Sequence, residues 1–220
     1  MKLYGSSVSP FYERCLIALE MKNALDAVQY PGFPPGGMKS DAHFKGHPYG
    51  KIPYLELDDD TCLIEGQVIM EYLDGVVGGP TLTPADPYDR ARASLIGRIV
   101  DTYIFPHQGK LSGNVIFGYQ DPEGEQNAIE KGIPDAIKAL ERYIGDGPNV
   151  IGDSWSTGDA ALIPYMFHAQ LAKDAFGFDV LADHKVLAAW WGNVQDTAIV
   201  QNCMARMQKS FEYLQAAMAD

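Results

Sequence analysis

The stretch HPYGKIPYLELDDDTCLIEGQVIMEYL, residues 47–73, determines the predicted fold of the first part of the chain. Two short apolar segments, Tyr54–Leu57 and Cys62–Ile64, flank a turn of three aspartates, which predicts an antiparallel hairpin. Helical spacing of apolar residues then begins at Gly66 and continues to about Val76. The stretch therefore predicts a hairpin that leads directly into a helix.

The residues before this stretch predict a β-α-β unit. A strand at Lys2–Tyr4 precedes a turn in which Ser9 is the expected N-cap and Pro10 the first residue of a helix. Ala27–Tyr30 predicts a second strand, parallel to the first. Residues 1–78 therefore predict an α/β domain.

The remainder of the chain predicts helices only. Residues 79–87 contain the Gly and Pro residues typical of a linker, and residues 88–220 form the second predicted domain. Within it, Ser156 and Asp159 predict reciprocal capping of a helix, and Pro164 predicts a kink in it. The segments with helical spacing are Tyr88–Phe105, Gly124–Ile144, Asp159–Ala175, Lys185–Val194 and Ile199–Ala217.

Composition excludes several classes of function. The chain has 17 basic and 29 acidic residues, a formal net charge of −12, which argues against nucleic acid or an anionic membrane surface as a partner. No apolar run reaches the ~20 residues of a membrane span. The three cysteines, Cys15, Cys62 and Cys203, form no C-x-x-C pair. They predict neither a disulfide framework nor a metal site, and they fit a reducing cytoplasm.

The segment Pro31–Pro53 is a basic island within this acidic chain. Ten of its residues are Gly or Pro, which predicts mostly turns, and its three lysines and two histidines outnumber its single acidic residue, Asp41. One interpretation is a solvated loop that happens to be basic. The other is a pocket for a small anionic ligand whose carboxylates need cationic partners.

Four motifs, in this order and spacing, resemble those of the cytosolic glutathione transferase family, and the resemblance covers the whole chain. Ser9-Pro10-Phe11-Tyr12-Glu13-Arg14 is similar to the S-P-F-x-x-R and C-P-F-x-E-R segments of the tau and omega classes. The second motif, Pro48-Tyr49-Gly50-Lys51-Ile52-Pro53, is similar to N-P-x-G-K-V-P. The third is Leu63-Ile64-Glu65-Gly66-Gln67-Val68-Ile69 with Tyr72-Leu73, which is similar to L-x-E-S-x-x-I-x-x-Y-L. The fourth, Ser156-Thr157-Gly158-Asp159, is similar to the family's S/T-x-x-D helix cap.

The resemblance implies a thioredoxin-like domain followed by an all-α domain, in a cytoplasmic homodimer. It implies glutathione as co-substrate, no metal, and a hydrophobic or aromatic electrophile as second substrate. Ser9 stands where the family has its catalytic Ser or Cys, so its hydroxyl is expected to stabilise the glutathione thiolate. The alternative role for Ser9 is simple helix capping. Ser7 and Ser6 are the other candidates for activation.

The resemblance also assigns the glutathione-binding residues. Pro53 is expected to be cis, so that the backbone of Ile52 pairs with the cysteinyl part of glutathione. Glu65 and Gly66 are expected to bind the γ-glutamyl end at a helix N-terminus. The glycyl carboxylate is assigned to Lys39 and Lys51.

This chain departs from the family pattern at three places. Gly66 replaces the usual serine and removes one hydroxyl contact, for which Gln67 is the expected substitute. His47 stands where Asn is usual, and the segment Pro31–Met38 has no family counterpart. These departures affect the expected affinity for glutathione.

The second substrate is expected against the helical domain, where aromatic side chains at helix ends suit an apolar ligand. The candidates are Tyr12, Tyr103, Phe105 and His107. Conjugation, dehalogenation, ether cleavage and isomerisation all begin with the thiolate, and the sequence leaves them open. The alternative from another class is a non-catalytic binding or regulatory protein that keeps this fold.

Overall fold

The computed structural model describes residues 1–219. The elements of its first part are β1 (Lys2–Tyr4), α1 (Pro10–Met21), β2 (Gln29–Gly32), α2 (Asp41–Gly46), β3 (Tyr54–Glu56), β4 (Cys62–Ile64) and α3 (Gly66–Val76). The strands form a four-stranded sheet of order β2-β1-β3-β4, in which β1 and β2 are parallel while β3 pairs antiparallel with both β1 and β4. The predicted β-α-β unit and hairpin are thereby confirmed.

One local prediction in this part was wrong. The second strand is Gln29–Gly32 rather than Ala27–Tyr30, because a 3-10 turn at Leu25–Ala27 delays its start. The segment predicted to be mostly turns also contains the short helix α2, which has no proline and ends at Gly46. Ser40 caps it by accepting a hydrogen bond from the His43 N–H at 3.1 Å. This short capped segment was hidden by the Gly and Pro residues around it.

The second part of the described chain is helical. Its elements are α4 (Pro87–Ile99), α5 (Phe105–Phe117), α6 (Pro122–Asn127), α7 (Ile133–Leu140), α8 (Thr157–Phe176), α9 (Lys185–Val194) and α10 (Ala198–Ala219). The expected pair of domains, thioredoxin-like and all-α, is thereby confirmed as the fold class. None of the helices described combines the length and the hydrophobicity that crossing a bilayer requires.

Two π-helical turns explain why the predicted helix ends in this part were wrong. Val100–Ile104 joins α4 to α5, so the helix predicted to stop at Phe105 continues to Phe117. Ala128–Gly132 likewise joins α6 to α7. Pro106 and Pro134 each stand in the first turn after a π segment. The wider π turn accommodates a proline, which lacks an N–H and would clash with the preceding turn of a regular α-helix.

Helix α8 is the centre of the helical domain, and its start depends on Asp159. The fully buried Asp159 carboxylate accepts hydrogen bonds from the Ser156 N–H at 3.0 Å and the Ser156 hydroxyl at 2.8 Å, within the predicted capping box. It also accepts from the Val150 N–H and the Trp190 indole N–H. Four donors therefore compensate the burial of one charge.

Helix α1 is buried between the two parts of the molecule, with ten of its twelve residues inaccessible. Leu16 and Leu19 pack in the core of the first domain, while Ile17 and Met21 join the core of the helical domain. Arg14 is fully buried and donates to both carboxylate oxygens of Asp101, at 2.7 and 3.0 Å. The loop before α1 is therefore placed where the two domains meet.

Candidate active site

Ser9 is the N-cap of α1, and its hydroxyl takes no part in capping. Its backbone is extended (φ −81°, ψ 119°), Pro10 follows as the first helical residue, and its side chain makes no capping hydrogen bond. The Ser9 carbonyl instead accepts the N–H groups of Tyr12 at 3.1 Å and Glu13 at 2.9 Å. The hydroxyl at this helix N-terminus is therefore available to a ligand, where the helix dipole favours an anion.

The two alternative serines of the same loop face protein groups. The Ser6 hydroxyl lies 2.8 Å from the Ser210 hydroxyl of α10. Ser7 lies near the buried carboxylate of Glu13; burial raises the pKa of Glu13 to about 7, while Arg206 and the nearby Ser7 hydroxyl favour its ionised form. Among the three serines, Ser9 is therefore the best placed to contact a bound thiol.

The helical domain holds the loop in place through Val8. The Val8 N–H donates to the Ser210 hydroxyl at 3.1 Å, and the Val8 carbonyl lies 3.1 Å from Nε2 of His168 on α8. Since a carbonyl can only accept, Nε2 carries the proton, and Nδ1 accepts from the Ser112 hydroxyl at 2.9 Å. Burial lowers the pKa of His168 to about 4, so the ring stays neutral near physiological pH.

The residues predicted to bind the central part of glutathione lie around β3 and the start of α3. The Ile52–Pro53 peptide bond is cis, as predicted, and immediately precedes β3. Neither backbone group of Ile52 bonds to another backbone group of residues 1–219. Glu65 is exposed and has a positive φ of 70° directly before α3. Such left-handed backbone in a residue other than glycine is typical of functional sites.

Gly66 is required by the packing of α1 against α3. A Cβ on this residue would collide with the carbonyl oxygen of Phe11 and would lie 3.2 Å from Cδ of Arg14. The family's usual serine therefore does not fit at this position. Gln67 is buried, its amide donates to Glu71, and its oxygen faces Gly97 of α4. It is thus turned away from the position of the missing hydroxyl.

The structure separates the candidates for the second substrate. The ring of Phe105 lies 4.9 Å from that of Phe11, two residues after Ser9. Tyr12 is buried in the core of the first domain. Tyr103 and His107 line a cavity of about 420 Å³, together with residues of α7 and Tyr143. Of the four candidates, Phe105, which is buried in the core of the helical domain, is the one whose ring packs on Phe11, whereas the Tyr12 ring is buried against Gly5.

Cysteine chemistry is not favoured next to Ser9. Cys15 is fully buried, and burial raises the pKa of its thiol to about 12. A thiol with that pKa is protonated at neutral pH and is a poor nucleophile. Within residues 1–219, no group of three or more His, Cys, Asp or Glu side chains is arranged to hold a metal ion.

The chain combines a thioredoxin-like domain and a helical domain with a free serine at the N-terminus of its first helix. Known protein families can be compared with this combination. Residues 3–81 match the family model for the glutathione S-transferase N-terminal domain, and residues 123–190 match the model for the C-terminal domain. The chain belongs to the glutathione S-transferase family. This membership supports glutathione transferase or a related activity, with glutathione as co-substrate.

Individual relatives agree with this assignment. Glutathione S-transferase 2 of Saccharomyces cerevisiae is 26% identical over 96% of this chain and 92% of its own length. Maleylacetoacetate isomerase of Pseudomonas aeruginosa is 29% identical over 80% of this chain and 86% of its own length. The crystal structure of Gtt2 from Saccharomyces cerevisiae has a TM-score of 0.75 at 25% identity, covering 92% of this chain and all of that one.

Replacing Gly66 by the family's usual serine should not improve glutathione binding. We expect Gly66→Ser to lower the free energy of unfolding by about 1–3 kcal/mol, because the side chain is forced against the Phe11 carbonyl. Gly75→Ser is the matched control, since Gly75 lies in the same helix and its Cβ would meet open space. Urea unfolding and glutathione titration measure both effects. Tighter glutathione binding with unchanged stability in Gly66→Ser would contradict the packing argument.

Replacing His168 should affect both stability and catalysis. His168→Phe keeps an aromatic ring but leaves the Val8 carbonyl without its donor, at a cost of about 1–3 kcal/mol, and kcat should fall more than the glutathione KM changes. The folded-state pKa of about 4 lies below the ordinary 6.5. The free energy of unfolding of the wild type should therefore decrease as the pH falls from 6.5 towards 4, because the unfolded chain binds a proton that the folded chain does not. His168→Phe should lack this pH-dependent decrease. Unfolding measured across this pH range tests it, and parallel pH profiles would count against a buried neutral histidine.

Proposed function

We propose that this protein is a serine-type glutathione transferase in which Ser9 stabilises the glutathione thiolate. A free thiol with a pKa of about 8.5 is only about 3% ionised at pH 7. A hydroxyl that donates to sulfur, at the positive end of a helix dipole, favours the thiolate. The sulfur then forms a bond to an electrophilic carbon of an apolar or aromatic substrate, and the electron pair of the bond that breaks goes to the leaving group.

The uncommitted hydroxyl of Ser9 is the observation that carries this proposal. The cap position would ordinarily engage that oxygen, yet the Ser9 side chain makes no capping bond, while the Ser6 hydroxyl is bonded to Ser210. The loop is held through Val8 by two helices of the second domain. A donor held in place in this way loses little freedom when the thiol arrives, so more of its interaction energy is available to the thiolate.

We assign glutathione to the surface beside Ser9, in the orientation that the family resemblance implies. The free backbone groups of Ile52 would pair with the cysteinyl residue, as an added strand does. Exposed Glu65 would pair with the γ-glutamyl ammonium, and the N–H groups at the start of α3 would bind its carboxylate. Lys39 and Lys51, both exposed, would bind the glycyl carboxylate.

The electrophile is assigned to the apolar side of the Ser9 loop, against Phe11 and Phe105. Aromatic walls of this kind favour flat or apolar substrates. A thiolate also begins isomerisation, the reaction named for the Pseudomonas aeruginosa relative, so conjugation and isomerisation share this first step. Tyr103 and His107 are not included in this subsite, because they line the separate cavity.

The homodimer and the cytoplasmic location remain predictions from the family. Large exposed apolar side chains occur in both domains, among them Tyr49, Val68, Tyr88 and Tyr103. Burial of such side chains against a second copy of the chain would remove apolar surface from water.

Thermal unfolding with and without glutathione tests the proposal. Glutathione at 100 times its dissociation constant should stabilise the wild type by about 2.7 kcal/mol. Ser9→Ala should keep most of this stabilisation and lose activity with an aromatic electrophile, because the donor to sulfur is gone while the carboxylate contacts remain. Ser7→Ala is the matched control and should stay active. No stabilisation of the wild type by glutathione would sink the proposal and favour the non-catalytic alternative.

A further inference from the structure

The backbone at Lys39 is held in an unfavourable conformation by a buried histidine. Lys39 has a φ of 62°, in the left-handed region that side chains with a Cβ rarely adopt. Its N–H donates to Nδ1 of His43 at 2.9 Å. Loop residues without such a bond can relax to a more common conformation, so this contact determines where the Lys39 side chain leaves the loop.

The same imidazole also holds Lys51. Its Nε2 lies 2.8 Å from the Lys51 carbonyl oxygen. Because Nδ1 accepts from Lys39, the ring proton is on Nε2, which donates to that carbonyl. His43 is fully buried, with its ring stacked on Tyr54 of β3 at 6.0 Å. One rigid ring thus joins the two segments that carry Lys39 and Lys51.

Gly50 completes this arrangement. It has a positive φ of 60°, and a Cβ on it would stand 3.5 Å from Cγ of Lys39. The stem of Lys39 therefore passes over the residue next to Lys51. The two lysine segments meet at one place, and His43 lies beneath them.

We propose that His43 is a positioning residue for the subsite that binds the glycyl carboxylate, and that it gives this protein its preference for the full tripeptide. The inference rests on the proposed function, since it deepens the glutathione site assigned there. A carboxylate bound between two ammonium groups depends on their separation, because attraction between charges falls with distance. A ring bonded to both backbones keeps that separation constant without contacting the ligand.

The alternative is that His43 only fills space between α2 and β3. In that case a phenylalanine, with a ring of similar size and no nitrogen, would serve equally well. Any loss of function in His43→Phe would then follow lowered stability and would affect all ligands of the site to the same degree. The two roles differ in whether the loss is specific to the glycyl end.

Titration calorimetry with glutathione and γ-glutamylcysteine, which lacks the glycyl residue, distinguishes these roles. The wild type should prefer glutathione. His43→Phe should bind glutathione about tenfold more weakly, which corresponds to about 1.4 kcal/mol, while its affinity for γ-glutamylcysteine stays the same. His43→Gln should retain most of the preference, because one amide offers both an acceptor and a donor. His184→Phe is the control, since His184 is also buried and bonds to Glu141 in the helical domain.

Each remaining outcome has a definite meaning. A wild-type preference that persists in His43→Phe, or an equal loss for both peptides, overturns the positioning role while leaving the proposed function intact. A wild type that binds neither peptide overturns both. If His43→Phe does not fold, imidazole nitrogen chemical shifts of the wild type decide: the tautomer protonated on Nε2 supports the bridge, and the Nδ1 tautomer overturns it.

Discussion

Two adjacent ionisable side chains, Glu13 and Arg14, are completely buried on helix α1, and the arrangement of the two domains follows from the need to pair them. A buried charge without a partner is strongly destabilising. Asp101, between α4 and α5, pairs with Arg14, while Arg206 of α10 pairs with Glu13 at 2.6 Å and with Glu20 at 2.8 Å. Asp101 and Arg206 both belong to the helical domain. Helix α1 can therefore be buried in this position only when the second domain is docked on it.

The docking of the second domain on α1 also holds the loop that contains Ser9. The loop that leads into α1 contributes Val8 to contacts with His168 and Ser210, so the second domain holds the residue next to Ser9 through both its carbonyl and its N–H. Both contacts join residues that are more than 150 positions apart in sequence. The first domain thus supplies the Ser9 hydroxyl, and the second domain holds the backbone of the neighbouring Val8. His168 keeps its role near neutral pH because burial holds its pKa well below the ordinary value.

Local signals in the sequence were sufficient for the elements that carry the site. Ser9 before Pro10 predicted the start of α1, and the spacing of apolar residues predicted the helix from Gly66. In both cases the signal lies within a few residues of the feature, whereas the cis bond before Pro53 was expected only from the family resemblance. Helix α2 was not singled out although its Ser40 cap is equally local, because the surrounding Gly and Pro residues predicted a segment of mostly turns.

The supporting residues could not be found in this way. His43, His168 and Ser210 act through hydrogen bonds whose partners depend on tertiary structure, and no motif marks them. The sequence also does not show which way a helical side chain points when apolar residues occur on every side of the helix. For that reason the sequence grouped Tyr12, Phe105 and His107, which the structure places in three different environments.

The most direct test of the account is the pKa of the glutathione thiol bound to the protein, measured by titrating the ultraviolet absorbance of the thiolate in the wild type and in Ser9→Ala. The account predicts a pKa about 2 units below the ordinary value of about 8.5 in the wild type, and a return towards that value in the variant. An equally low pKa in both proteins, or an ordinary pKa in the wild type, would contradict the role assigned to Ser9.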